Sequence, residues 1–239
     1  MITSNVIHRT FHIRYGAKSG TAFAIDRSNR QYLITARHVV PDIVDDDILH
    51  IFHEKQWKMV EVKVVGTGEG GIDVAVLACL VRLAPSLPLE ASVAGLTYGQ
   101  DVYFLGFPFG WDAGAENINL NFPLPFVKSG IASAITFDDP AHIYVDAHGN
   151  PGFSGGPLVF KDPQGGPTEF SVAGIVSNAP TPLLTPVVNS AGKPVDTLGG
   201  SGAFLAENQG FVVAIGIRHA TEIIDANPVG FELPEDEAK

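Results

Sequence analysis

Asn150-Pro151-Gly152-Phe153-Ser154-Gly155-Gly156-Pro157-Leu158 is the stretch on which the reading turns. A serine hydroxyl is a weak nucleophile. It needs an imidazole to take its proton and a buried carboxylate to fix the imidazole tautomer and stabilise the imidazolium. Two other segments supply those groups, Thr35-Ala36-Arg37-His38 and Asp73-Val74-Ala75-Val76-Leu77. His38, Asp73 and Ser154 follow in that order, 35 and 81 residues apart, and together they point to acyl transfer. The glycines around Ser154 have a separate use. A developing oxyanion is met by backbone N–H groups on a tight turn where side chains would intrude, so Gly152 and Ser154 are the candidate oxyanion-hole donors.

The composition bounds what surrounds this turn. The chain has 239 residues, enough for one large domain or two small ones. With 45% hydrophobic and 17% charged residues it reads as globular, not disordered. Lys and Arg number 15 against 26 Asp and Glu, a formal charge of -11, so the basic footprint of a nucleic-acid binder is missing. The only cysteine, Cys79, excludes an internal disulfide and a cysteine-rich zinc site. It stands in an apolar run and reads as a small buried side chain. That run, Val74 to Val81, is the longest and has eight residues, far short of the roughly 20 needed to cross a bilayer. His8, Arg9, Arg14 and Lys18 break up the amino terminus, which carries no secretory h-region. The expectation is a cytoplasmic protein with no membrane partner.

Short segments rich in Val, Ile, Phe and Tyr alternate with 26 Gly and 17 Pro, the pattern of many short strands. Twelve strands are predicted: Ile7 to Tyr15, Thr21 to Asp26, Gln31 to Thr35, Ile48 to His53, Lys58 to Val65, Asp73 to Leu80, Asp101 to Leu105, Val127 to Phe137, His142 to Asp146, Gly156 to Phe160, Glu169 to Ser177 and Gly210 to Ile217. Helical signals reduce to one turn at Ala36 to Val40 and a terminal stretch, Ala220 to Ala226, stopped by Asn227-Pro228. Pro85 and Pro88 lie in an aperiodic crossover, which divides the chain into residues 1–95 and 96–239. From Ala179 to Gly210 run 32 residues with four prolines and five glycines, beyond the usual loop limit of about 12 to 15, so this stretch is read as a functional or mobile loop.

Other motifs extend the pattern. Ser19-Gly20-Thr21-Ala22-Phe23, Tyr32-Leu33-Ile34-Thr35, Leu105-Gly106-Phe107-Pro108-Phe109-Gly110 and Lys128-Ser129-Gly130-Ile131-Ala132-Ser133-Ala134 stand around the three segments. With them the chain resembles the trypsin-like serine proteases of the chymotrypsin fold, and within these the HtrA/Deg-type protease domain. The likeness runs from about residue 19 to 177 and less clearly over residues 212–224. It implies an all-β fold: two six-stranded antiparallel β-barrels with a short C-terminal helix. The first barrel would carry His38 and Asp73; the second would carry Ser154, the oxyanion loop and the substrate pocket. It also implies that Ser177, ending Ala173-Gly174-Ile175-Val176-Ser177, hydrogen-bonds the triad aspartate, and that its strand pairs with substrate backbone. The pocket positions would be His148, Asn178 and Ala179. None is acidic, so a preference for Lys or Arg is not expected, and a medium apolar side chain is the leading choice.

Two departures qualify the resemblance. Secreted digestive members have Asp just before the nucleophile and HtrA-type members usually have Asn, whereas this chain has Phe153. The 15 residues after Ile224 are too few for the PDZ domain common in HtrA-type proteins. Elsewhere, His8 and His12 are read on one strand, where a spacing of four does not converge on a metal. His50, His53 and the acidic run Asp45 to Asp47 read as solvated surface. No metal and no cofactor are assigned. The expected function is a serine endopeptidase acting on protein or peptide substrates; the alternative is a catalytically inactive binding or scaffold protein on the same fold.

Overall fold

Strand β1 (Thr10–Tyr15) leads into β2 (Lys18–Arg27), where Ala22 and Ala24 face one way and Phe23 and Ile25 the other, all four buried. The small pair joins Phe11, Leu33, Leu49, Val62 and Leu77 inside a barrel, while the large pair joins a second core between two barrels. The same division explains the unbroken apolar run of β6 (Ala75–Cys79). Leu77 points into the barrel and Val76 into the inter-barrel core, so neither face meets water. Burial pushes the Cys79 thiol up to about 12, as suits a packing side chain.

The computed structural model describes residues 2–85, 89–114, 121–163, 169–177, 183–195, 202–207 and 209–234. The first barrel is completed by β3 (Arg30–Thr35), β4 (Ile48–His53) and β5 (Gln56–Thr67) in the order β3-β2-β1-β4-β5-β6, closed by β3 against β6. Ser28 and Asn29 join β2 to β3 with both φ angles positive, 50° and 59°, which matches the right-handed twist of a two-residue hairpin. A two-residue strand, β7 (Glu90–Ala91), follows the first barrel. The second barrel uses β8 (Asp101–Gly106), β9 (Phe126–Ile135), β10 (His142–Asp146), β11 (Pro157–Lys161), β12 (Phe170–Val176) and a last strand at Phe211–Gly216. Here β11 closes against β12. Between β12 and that last strand, β13 (Leu183–Pro186) and β14 (Phe204–Glu207) pair as a separate ladder, so the closing barrel strand is β15. The barrel ladders are antiparallel throughout, giving two six-stranded antiparallel barrels. Strand β7 adds in parallel to β12, and β16 (Phe231–Glu232) returns to pair with β3.

Helix α1 (Ser4–His8) corrects the strand expected from Ile7. Val6 is fully buried in the inter-barrel core, and that burial outweighs the extended preference of Val-Ile. His8 and His12 therefore lie on different elements. Arg9, 1% exposed, pairs with Asp26 of β2 at 2.5 Å and fixes the entry into β1. Helix α2 (Arg218–Ala226) starts two residues before the predicted stretch and packs Ala220 and Ile224 between the barrels. The stretch 179–210 was expected as a loop; among its described residues it forms the β13–β14 ladder, with Leu184, Phe204 and Leu205 exposed. Among the described residues no helix is long and apolar enough to cross a membrane.

Candidate active site

Strands β3 and β6 pair with Thr35 opposite Ala75, so the residues just beyond their ends meet. His38 sits on the short 3-10 turn after β3, and Asp73 lies just before β6. The His38 backbone N–H donates to Asp73 Oδ1 at 2.9 Å, and Nδ1 lies 2.6 Å from Oδ2. An ionised carboxylate only accepts, so Nδ1 carries the proton, and in that tautomer the ring's free lone pair is on Nε2. Ser177, directly after β12, donates its hydroxyl to the same Oδ2 at 2.5 Å. Burial of Asp73 pushes its pKa up, but the hydrogen bonds from His38 and Ser177 outweigh that and leave it below the ordinary aspartate value.

Ser154 reaches this group from the second barrel. Its hydroxyl donates to the Ser177 carbonyl at 3.0 Å, and among the described residues that carbonyl, not His38, takes its proton. Ser177 thus links both halves, holding Asp73 with its side chain and Ser154 with its main chain. The structure brings His38, Asp73, Ser154 and Ser177 into one hydrogen-bonded chain.

The orientation of the candidate oxyanion donors follows from peptide planarity. In a trans peptide the N–H points opposite to the preceding carbonyl. The Pro151 carbonyl accepts from the Phe109 N–H at 2.9 Å, which fixes the Gly152 N–H. The Phe153 carbonyl accepts from the Gly156 N–H at 2.9 Å, which fixes the Ser154 N–H. Among the described residues neither the Gly152 nor the Ser154 N–H has a protein acceptor. Gly152 is required for this geometry: φ is 104°, and an added Cβ would lie 2.2 Å from the Phe107 carbonyl oxygen.

Thr21, fully buried in β2, clamps the turn from the first barrel. Its hydroxyl donates to the Gly152 carbonyl at 2.7 Å and accepts from the Phe107 N–H at 3.2 Å, while its own N–H donates to the Ser154 carbonyl at 2.9 Å. Phe109, at φ 54°, is held in a conformation uncommon for a side-chain-bearing residue, with its N–H committed to Pro151. The sequence reading assigned neither role. The available signal was a threonine inside an otherwise apolar strand, where a buried hydroxyl calls for partners.

Phe153 packs beneath the turn. Its ring is 2% exposed and meets Phe104 edge-on, centroids 5.0 Å apart, burial of the kind that stabilises by about 2–3 kcal/mol. His148 is exposed, while Asn178 and Ala179 lie outside the described residues. Among the described residues no three His, Cys, Asp or Glu side chains gather as metal ligands.

Residues 20–166 match the family model described as a trypsin-like peptidase domain. Among curated proteins no sequence matches. Among solved structures, the inactive form of the Rv3671c protease is similar at 18% identity and TM-score 0.57, over 94% of this chain and 91% of that one. A serine-to-alanine mutant of Rv3671c from M. tuberculosis, also inactive, is 18% identical with TM-score 0.55, over 92% of this chain and 87% of that one. A variant of the HtrA-type protease AlgW with a tripeptide is 22% identical with TM-score 0.56, over 93% of this chain and 61% of that one. At these identities the likeness is one of fold.

Proposed function

This chain belongs to the trypsin-like peptidase domain family, and on that premise we propose that it is a serine endopeptidase with His38, Asp73 and Ser154 as its triad. The observation that carries the proposal is the meeting of His38 and Ser177 on the Asp73 carboxylate, with the Ser154 hydroxyl on the Ser177 carbonyl.

In the proposed reaction Ser154 Oγ turns from the Ser177 carbonyl toward His38, gives its proton to Nε2 and attacks the scissile carbonyl. The imidazolium is stabilised by ionised Asp73, and the new oxyanion accepts from the Gly152 and Ser154 N–H groups. His38 then protonates the leaving amine, the acyl-enzyme forms, and water releases the acid by the same steps in reverse order. A peptide or protein substrate is supported by the HtrA-type relative with a tripeptide. A medium apolar side chain is proposed for the primary pocket, since His148, Asn178 and Ala179 offer no carboxylate to a basic one. Activation by cleavage is not required on this reading, because Phe153 cannot pair with a new amino terminus.

A fluorophosphonate probe tests the proposal directly. The uncut protein should be labelled on Ser154 and should cleave members of a peptide library, and Ser154→Ala should do neither. An unlabelled, inactive wild type would replace the peptidase reading with that of a binding or scaffold protein.

A further inference from the structure

The residue before the nucleophile is an aromatic ring, so nothing at that position can hold the turn by an ion pair. The ring has a fixed seat instead. A Cβ on Gly106 would lie 2.8 Å from Phe153 Cδ1, and Phe104 closes another side. Such packing fixes the ring but supplies no hydrogen bond to the polar main chain that leads into the turn. That part of the loop needs a donor from elsewhere.

Lys128, in β9, occupies the place from which a donor can act. Its ammonium donates to the His148 carbonyl and, at 3.0 Å, to Asn150 Oδ1. It also stands 5.7 Å from the centre of the Phe153 ring and 6.0 Å from that of Phe104. An ammonium has three donors and no acceptor, and an aromatic face attracts it, so carbonyl, amide and rings each complement it. Lys128 is half-buried, and that desolvation lowers its pKa. Asn150 connects the clamp to the turn: its own carbonyl accepts from the Phe153 N–H at 3.4 Å, a weak bond at the edge of useful geometry. The next residue is Pro151, whose carbonyl sets the direction of the Gly152 N–H.

We infer that Lys128 is a positioning residue of the nucleophile turn, its ammonium tying residues 148–150 down over the Phe153 ring so that the Gly152 and Ser154 N–H groups stay presented. The inference rests on the peptidase reading for its catalytic consequence, but its structural content stands apart from it. In this chain an internal lysine would supply what a cleavage-generated amino terminus supplies where an aspartate precedes the nucleophile.

The test uses the full chain with Lys128→Met, which keeps the stem and removes the donors, and Lys128→Arg, which restores them. Amide hydrogen exchange over residues 148–156 and steady-state kinetics on a cleaved peptide are read together. Lys128→Met should speed loop exchange by about tenfold or more and lower kcat by about 10- to 100-fold, with KM within about threefold, the signature of a misplaced transition-state contact. Lys128→Arg should recover most of both. Wild-type exchange and kcat in Lys128→Met would overturn the inference, as would an Arg variant as impaired as the Met variant on both readouts. If wild type proves inactive while Lys128→Met still loosens the loop, the peptidase reading falls and the clamp stands.

Discussion

The two halves of the candidate site are built on opposite plans. At Asp73 the acceptor is crowded: the His38 backbone N–H, the His38 ring and the Ser177 hydroxyl all donate to one carboxylate. In the turn at Ser154 the carbonyl acceptors are satisfied and two of the donors are not. The carbonyls of residues 151, 152, 153 and 154 are taken by Phe109, Thr21, Gly156 and Thr21, and among the described residues the N–H groups of Gly152 and Ser154 have no acceptor. In the proposed reaction the first plan would hold a charge in place, and the second would hold partial charges ready for one that is not yet there. The difference also lies in where the support comes from. His38 and Asp73 meet because two paired strands of one barrel end side by side, whereas the turn is clamped across the interface by Thr21. Loosening the barrel interface should therefore damage the turn before it damages the His38–Asp73 pair.

The largest effect comes from removing either centre. Ser154→Ala should abolish turnover, a loss of about 10⁶-fold, and Asp73→Asn should lower it by about 10⁴-fold by leaving His38 in the wrong tautomer, both with near-native circular dichroism. A mere tenfold loss in Asp73→Asn would break the claim that the crowded carboxylate sets the tautomer. Next comes Gly152→Ala, whose methyl group would meet the Phe107 carbonyl at 2.2 Å. Displacing one oxyanion donor should cost about 10²- to 10³-fold in kcat. The downfield proton resonance of His38 Nδ1 should survive in this variant, and its loss would show that the two halves are not separable.

Thr21→Val is expected to be milder. It keeps the shape and deletes the hydroxyl, leaving the Gly152 carbonyl and the Phe107 N–H without their partner. Urea unfolding should register about 1–3 kcal/mol, and kcat should fall by roughly tenfold while Thr21→Ser stays close to wild type. Equal losses in Val and Ser variants would mean that packing, not the hydroxyl, ties the barrels together.

The same contrast explains what the sequence made legible. His38, Asp73 and Ser154 stand out in the sequence because nucleophilic chemistry would call for those side chains, Ser177 stands out only through the family resemblance, and the structure joins the four by hydrogen bonds. The strands were readable wherever apolar runs were bounded by turn residues, as at Ala75–Cys79. Contributions made by main-chain groups were harder to see. That the Phe109 N–H and the Pro151 carbonyl set the direction of a donor is a matter of dihedral angles, to which residue identity is nearly blind. Helix α1 was misread at Ile7 and His8 because Val6 is buried in a core assembled from both barrels, information no local pattern holds. The ladder β13–β14 was hidden by prolines and glycines that mark its turns more strongly than its strands are marked.

Ser177→Ala probes the link between the halves and should have the smallest effect. The variant keeps the carbonyl that receives Ser154 and removes one of the donors on Asp73. That hydroxyl favours the ionised carboxylate, so without it the Asp73 pKa moves up toward the ordinary aspartate value of about 3.9. A carboxyl whose pKa is depressed by folding adds stability that is present above its unfolded value and lost as pH falls through its folded one. The gap in unfolding free energy between wild type and Ser177→Ala should thus be full above about pH 5, at about 1 kcal/mol for a half-buried charged acceptor, and should close as the pH drops below about 4. Near neutrality kcat should fall only a fewfold, because the two bonds from His38 still hold the carboxylate. Unfolding measured at several pH values between about 3 and 7 decides the matter. A gap that stays constant across that range would mean that the serine is a packing residue and that the charge-holding half of the site is complete without it.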